Sequence, residues 1–202
     1  MYTQEQKQIL VSIARSSIQH GLKTDKPEII NLEDHDSNLQ EIRATFVTLK
    51  ILATLRGCIG TLEARYPLAK SVSEYAYAAA FRDPRFKSLR EDEYDKITLS
   101  ISILTPSEPM EFDSDADLIN QLIPDIDGLI IQSGQRSATF LPAVWESLPD
   151  AEQFLSQLKA KAHIRPDEHL TSASRYRAIE IHEAGDTKNF PRPGDERTIL
   201  VP

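Results

Sequence analysis

The chain contains the segment Leu55-Arg56-Gly57-Cys58-Ile59-Gly60, which holds the single cysteine of its 202 residues between two glycines. Successive side chains of an extended segment alternate, so Arg56, Cys58 and Gly60 are expected on one face. A cation beside a thiol favours the reactive thiolate. Gly57 and Gly60 lack Cβ atoms and would let a ligand or a second backbone approach closely. The segment therefore predicts a strand that lines a site.

Hydrophobic periodicity predicts further helices and strands on both sides of this segment. Residues 23–41 read as a long loop. The helices are predicted over 3–21, where Thr3 is the N-cap, and over 67–82, 118–123 and 150–162. The strands are predicted over 44–50, 54–62, 97–103, 128–132, 137–141 and 175–182. Because hairpins dominate and strict βα alternation is absent, the fold class is α+β, with a mainly antiparallel sheet flanked by helices.

The first two predicted strands are joined at Leu52-Ala53. A two-residue hairpin turn favours residues that tolerate positive φ, which leucine and alanine do not. We therefore expect a wider turn, or an apolar tip that something covers. An exposed Ile51-Leu52-Ala53 tip would be a contact point for a second copy of the chain or for a partner protein.

The amino-acid composition limits the number of domains, the kinds of ligand and the cellular compartment that we expect for this protein. With 40% hydrophobic and 27% charged residues the chain suits one globular domain, with room for a small subdomain. Its net charge of −8 argues against nucleic-acid binding. A single cysteine excludes an internal disulfide and fits a reducing compartment. The polar amino terminus and the absence of a long apolar run predict a cytoplasmic protein without membrane association.

Several blocks, in this order along the chain, resemble the AMMECR domain family, whose bacterial and archaeal members are called AmmeMemoRadiSam system protein A. The resemblance extends from residue 3 to residue 181. It is carried by the segment above and by residues 46–50, Phe81-Arg82-Asp83-Pro84-Arg85-Phe86, 104–106, 127–131, 139–142 and 144–146.

The resemblance implies a larger subdomain built from both chain ends and a smaller one inserted between them, with the cysteine segment near their junction. We expect one domain over residues 1–184, followed by an extended C-terminal tail over 185–202. The family has no settled biochemical activity. Its naming implies a system shared with a Memo-like protein and a radical S-adenosylmethionine enzyme.

Cys58 and Arg56 are the candidate catalytic residues, and each has a structural alternative. Cysteine catalysis usually recruits a distant histidine, but none of the five histidines stands in a block that carries the resemblance. A small buried cysteine is the alternative for Cys58. Arg56 either grips a ligand carboxylate or phosphate, or forms an ion pair with Asp83 or Glu63.

The second block supplies further candidate ligand-binding residues, Arg82, Asp83 and Arg85, beside Gly57 and Gly60. Two arginines around a carboxylate form an anion clamp in one interpretation. In the other, Arg82 satisfies the last helical carbonyls and Asp83 caps the turn. No metal site and no cofactor is predicted, since Cys pairs, His-x-His spacings and phosphate-binding loops are absent.

Two functions remain open from the sequence. The first is an enzyme component that acts on a small anionic substrate in a cleft between the subdomains, near Cys58. The second is a non-catalytic protein-binding module in which the cysteine segment is structural.

Overall fold

A computed structural model describes residues 2–183 of the chain, which contain helices and two β-sheets. The α-helices are α1 (Gln4–Thr24), α2 (Ser37–Gln40), α3 (Leu68–Phe81), α4 (Glu91–Tyr94), α5 (Asp115–Asn120) and α6 (Ala151–Lys161). The strands are β1 (Thr45–Ile51), β2 (Thr54–Gly60), β3 (Ile97–Leu104), β4 (Glu108–Met110), β5 (Gly128–Ser133), β6 (Arg136–Phe140), β7 (Ser172–Tyr176) and β8 (Ala178–His182). No helix in this part of the chain has the length and apolar composition of a membrane span.

The first compact unit takes in residues 2–104 and 179–183 and contains a four-stranded sheet in the order β2-β1-β3-β8. β1 pairs antiparallel with β2 and with β3. Alternate residues of β1 and β3 enter a core shared with α1 and α3, among them Val47, Leu49, Leu99 and Ile101. β2 lies at the edge of this sheet, so its outer backbone groups need partners from outside the strands.

The second unit, Thr105–Ala178, contains a sheet in the order β4-β7-β5-β6. Trp145 forms the centre of its core. The indole stacks on Phe154 with ring centroids 3.8 Å apart, and its Nε1–H donates to the carbonyl oxygen of Asp127 at 2.7 Å. The ring therefore fills the core, and its one polar atom is satisfied.

The architecture confirms the α+β prediction, with antiparallel strand pairing within each sheet. Both ends of the described chain belong to the first unit, and the second unit is inserted between them in the sequence. Thr3 caps α1 as expected, and its side chain exchanges hydrogen bonds with Gln6 in a capping box.

Several sequence expectations need correction. The single strand over 175–182 is wrong: the segment divides at Arg177 into β7 and β8, which belong to different sheets. The helix expected over 118–123 is α5, which begins and ends earlier. The expected loop over 23–41 includes one 3-10 turn, Leu32–Asp34, and the short helix α2. The predicted tail over 185–202 lies outside the described residues.

The hairpin between β1 and β2 turns in two residues, not in a wider loop. Leu52 has φ 51° and Ala53 has φ 65°, both left-handed, and Ile51 pairs directly with Thr54. No described residue of this chain covers the tip, because Leu52 is 93% exposed. The expectation of a wider turn is therefore wrong, and the structure accepts left-handed strain at two residues that carry Cβ atoms. Cover by a partner or a second copy stays a prediction.

We expect Ala53→Gly to raise the free energy of unfolding by about 0.5–1 kcal/mol. Glycine removes a left-handed penalty of about 1–2 kcal/mol, and its greater freedom in the unfolded chain offsets part of that gain. Chemical denaturation measures the change. The matched control is Ala78→Gly in α3, which should lower stability by about 1 kcal/mol. A loss at position 53 as large as that at position 78 would contradict the strain.

Candidate functional site

Cys58 lies in the middle of the edge strand β2, opposite Thr48 of β1. Its side chain is almost entirely buried, at 5% exposure. The hydroxyl of Thr48 donates a hydrogen bond to Sγ over 3.2 Å. The thiol is therefore a packed group with a polar neighbour, and a reagent can reach it only through local opening.

A β-bulge separates Arg56 from the regular ladder. Leu49 pairs with Gly57 and Lys50 pairs with Leu55, which leaves Arg56 as the extra residue on β2. A bulge re-aims the side chain of the extra residue. The regular alternation of side chains is therefore interrupted between Leu55 and Gly57.

The re-aimed Arg56 forms a two-pronged ion pair with Glu93 of α4, with Nε–Oε1 and Nη2–Oε2 distances of 3.0 and 3.1 Å. The expected pairing with Asp83 or Glu63 is wrong. The guanidinium also lies 6.0 Å from the centre of the Phe86 ring. Its remaining nitrogen, Nη1, is buried and has no hydrogen-bond partner among the described residues.

The two glycines accommodate the protein's own atoms. A Cβ on Gly57 would stand 2.0 Å from the carbonyl oxygen of Ala79, so glycine lets β2 approach α3. A Cβ on Gly60 would stand 2.2 Å from the Thr45 carbonyl oxygen and 2.4 Å from the Phe46 ring. Both positions are thus explained by close packing within the first unit.

Asp83 and Arg85 bind the outer edge of β2 at Cys58. The Cys58 amide donates to Asp83 Oδ2 at 2.8 Å, and Arg85 Nη2 donates to the Cys58 carbonyl oxygen at 3.2 Å. The two side chains also bind each other, with Nε–Oδ1 and Nη2–Oδ2 distances of 2.9 and 2.7 Å. The Asp83–Arg85 pair therefore takes the place of a neighbouring strand at this residue.

The environment keeps this pair charged. Burial by itself would raise the pKa of the Asp83 carboxyl, but hydrogen bonds from the Arg85 side chain and from the Cys58 and Arg85 amides hold that pKa below its usual value. In return, the hydrogen bond to Asp83 raises the pKa of Arg85 despite its partial burial. Asp83 is therefore a buried anion whose charge Arg85 compensates.

Arg82 does not join this group. Its guanidinium is exposed and contacts Tyr77 Oη at 3.1 Å and the Asp25 carboxylate at 3.7 Å, near the end of α1. The structure thus brings together Cys58, Asp83 and Arg85 and places Arg82 in a separate contact. No group of three or more histidine, cysteine, aspartate or glutamate side chains within residues 2–183 is arranged to hold a metal ion.

Sequence reasoning missed two residues of this site, Thr48 and Glu93. Pairing counted outward from the Leu52-Ala53 turn places Cys58 opposite Val47, and only the bulge shifts its partner to Thr48. Glu93 lies 37 positions from Arg56, and no spacing in the sequence links the two.

We expect Asp83→Asn to lower the free energy of unfolding by about 3 kcal/mol at neutral pH, because it leaves the largely buried Arg85 without its counter-ion. Urea unfolding measures the loss. The control is Asp92→Asn, which removes the charge of a solvent-exposed carboxylate paired with Arg90 and should change little. An equal loss of unfolding free energy in the two variants would contradict a structural role of the Asp83 charge.

The same carboxylate predicts an acid-dependent loss. Because the pKa of Asp83 is lower in the folded than in the unfolded chain, its contribution is complete above the ordinary pKa of about 4 and declines as the pH falls below that value. The difference in unfolding free energy between the wild type and Asp83→Asn should therefore shrink on acidification. A difference that stays constant as the pH falls from 7 into the acid range would contradict the lowered pKa.

Comparisons with known proteins agree with this fold. The AMMECR1 family model matches residues 11–181. A protein of Methanothermobacter thermautotrophicus is 36% identical over 194 residues, which cover 91% of this chain and 97% of that protein. A protein of Saccharolobus solfataricus is 38% identical over 83% of this chain and 75% of its own length.

A solved structure is also similar. The crystal structure of the uncharacterized protein PH0010 from Pyrococcus horikoshii superposes with a TM-score of 0.79 at 32% sequence identity, covering 88% of this chain and 91% of the other. The family model and the relatives each span most of the chain. The chain therefore belongs to the AMMECR1 family.

Proposed function

We propose that this chain is a non-catalytic protein-interaction module whose contact point is the Ile51-Leu52-Ala53 tip. The Leu55–Gly60 segment is then the structural base of the hairpin. One observation carries the proposal: Leu52 stands 93% exposed on a turn whose two central residues are both left-handed. Strained backbone of this kind concentrates at functional positions.

The base of the hairpin that carries Leu52 is held in place by contacts within the first unit. Gly57 lets β2 approach α3, and the Asp83–Arg85 pair fixes the strand edge at Cys58. The two arginines expected to hold a ligand anion, Arg56 and Arg85, are both paired with carboxylates of the protein. These contacts favour a structural role for the segment over a role in catalysis.

The shape of the tip favours a partner protein over a second copy of this chain. A two-residue turn is convex and presents one large apolar side chain, far less than the roughly 800 Å² per partner of a stable interface. A single leucine contributes strongly only where it enters a concave, desolvated pocket. The family resemblance implies a Memo-like protein and a radical S-adenosylmethionine enzyme as partners, and we propose the Memo-like protein as the one that accepts Leu52.

Titration calorimetry with the purified Memo-like protein from the same organism tests the contact. Leu52→Asp should weaken binding by about thirtyfold, as expected for a buried anchor residue worth about 2 kcal/mol. Ile29→Asp is the matched control, because Ile29 is 95% exposed in a different part of the first unit. Equal affinities of the two variants would rule out the tip as the contact.

Leu52→Asn separates binding from folding. Asparagine tolerates the left-handed conformation, so this variant should be more stable than the wild type while it binds the partner more weakly. Sedimentation analysis of the wild type tests the second-copy alternative. A dimer that Leu52→Asp dissociates would replace the Memo-like protein with a second copy as the occupant.

A second candidate function is favoured by Arg56 Nη1, which is buried without a hydrogen-bond partner among the described residues. In this function the chain is an enzyme component acting on a small anionic substrate, and Cys58 is the nucleophile or thiol donor. Arg56 and Arg85 would hold the anion. The hydroxyl of Thr48 would stabilise the thiolate.

The rate of Cys58 alkylation by iodoacetamide, followed from pH 6 to 10, distinguishes the two functions. An interaction module predicts slow alkylation of the native protein that accelerates only when the chain unfolds. An enzyme predicts rapid alkylation with an apparent pKa well below the free-thiol value of about 8.5. The unfolded chain, which contains the same single cysteine, is the internal control.

A further inference from the structure

Two isoleucines of the inserted unit are exposed on one short loop. The loop, Ile123-Pro124-Asp125-Ile126, lies between α5 and β5. Ile123 is 43% exposed, Ile126 is 44% exposed, and Pro124 between them is exposed as well. No other large apolar side chain of residues 105–178, all of which the structure describes, is exposed to this extent. The inserted unit therefore presents its large apolar side chains to solvent at this one place.

Hydrogen bonds hold the loop closed. The Ile123 amide donates to Asp127 Oδ2 at 2.9 Å, and the Ile123 carbonyl oxygen accepts the amides of Asp127 at 3.0 Å and Ile126 at 3.2 Å. The Asp127 carbonyl accepts Trp145 Nε1–H at 2.7 Å, which connects the loop to the core. Asp125 is left-handed, with φ 65°. The two isoleucines therefore have a fixed backbone and lose little freedom when a partner covers them.

The sequence around the loop is acidic. Residues 97–135 contain seven aspartates and glutamates and no lysine, arginine or histidine. Basic residues from later in the chain compensate three of these carboxylates, in the pairs Arg175–Glu108, Lys159–Asp115 and Arg177–Asp127. The other four form no ion pair with any residue of 2–183, and they are Glu111, Asp113, Asp117 and Asp125. Half of the acidic stretch thus keeps its charge available to a partner.

Further hydrogen bonds bring these carboxylates to the loop. Gln121, two positions before the first isoleucine, donates from Nε2 to the carbonyl oxygen of Glu111 at 2.9 Å. The Asp113 amide donates to Asp117 Oδ2 at 3.1 Å, which folds the segment before α5 onto the helix. Asp125 belongs to the loop itself. The exposed isoleucines are therefore accompanied by uncompensated negative charge.

We propose that the Ile123–Ile126 loop binds a basic, amphipathic segment of a partner protein. Apolar side chains of the segment cover the two isoleucines and remove their surface from water. Its lysine and arginine side chains pair with the carboxylates beside the loop, and the opposite charges also speed the encounter. The loop belongs to a different compact unit from the Leu52 tip, so this inference is independent of the function proposed for the tip.

Charge and size favour this occupant over the alternatives. Nucleic acids and anionic membrane surfaces are negatively charged, and the same carboxylates repel them. A second copy that presented the same loop would bring like charges together, in a chain whose net charge is already −8. One short loop also buries far less than the roughly 800 Å² per partner of a stable globular interface. A single basic segment therefore fits the surface best.

A titration of the ¹⁵N-labelled full-length chain with a synthetic amphipathic helix of leucine and lysine tests the proposal. The amide signals of Ile123, Asp125 and Ile126 should shift saturably. The same helix with glutamate in place of lysine is the matched control and should cause no shift. Equal binding of the two peptides, or shifts at the loop no larger than those elsewhere on the surface, would overturn the proposal.

Two variants separate the apolar contribution from the charged one. Ile126→Ser should weaken binding of the leucine–lysine helix about tenfold, whereas Ile29→Ser, at an exposed isoleucine of the first unit, should leave it unchanged. Asp125→Asn keeps a residue that tolerates the left-handed conformation and should weaken binding about threefold at low salt, and less at high salt. An unchanged dissociation constant in either loop variant would contradict the proposal.

Folding and self-association are checked with the same samples. Both loop variants change exposed side chains, so their urea unfolding midpoints should equal that of the wild type. In the absence of peptide, broadening of the loop amide signals that grows with protein concentration would assign the loop to a second copy and overturn the basic segment as its occupant.

Discussion

The Asp83 carboxylate is the interaction on which the geometry of the first unit depends. β2 is an edge strand, and the amide and carbonyl of Cys58 face away from β1, where no strand of the sheet can satisfy them. Asp83 and Arg85, 25 and 27 positions further along the chain, supply both partners. The contact closes the edge to a foreign strand and connects the end of α3 to the centre of the hairpin.

The bulge at Arg56 determines which residue of β1 faces Cys58 and which backbone groups of β2 face Asp83 and Arg85. Without the extra residue, Cys58 would face Val47 and the outward-facing amide would belong to another residue. With it, Cys58 faces Thr48, its backbone meets Asp83, and Arg56 leaves the ladder to reach Glu93. Bulges also increase local twist, which here accompanies the close contact of Gly57 with α3. One inserted residue thus accounts for most of the local side-chain arrangement.

Much of the fold could be predicted because its signals are local. The alternation of β3 and the Gly134 turn between β5 and β6 lie within single segments, and the structure has strands at both places. The interrupted strand at Arg177 was not predicted, because no glycine, proline or other turn residue marks the place where the chain passes from one sheet to the other. The partners of Arg56 and Cys58 could not be predicted from the sequence either. They depend on a bulge and on contacts with residues 37 and 25 positions away.

The strained tip follows from the way the hairpin is held. A left-handed leucine and alanine persist only where the surrounding structure leaves no alternative. Here β1 keeps its register with β3 as far as the pair Ile51 and Ile97, and the Asp83–Arg85 pair fixes β2 at Cys58. With both strands held, the chain must reverse within two residues. Leu52 is therefore presented on a rigid support and would lose little conformational entropy on entering a pocket, which is the property that an interaction module requires.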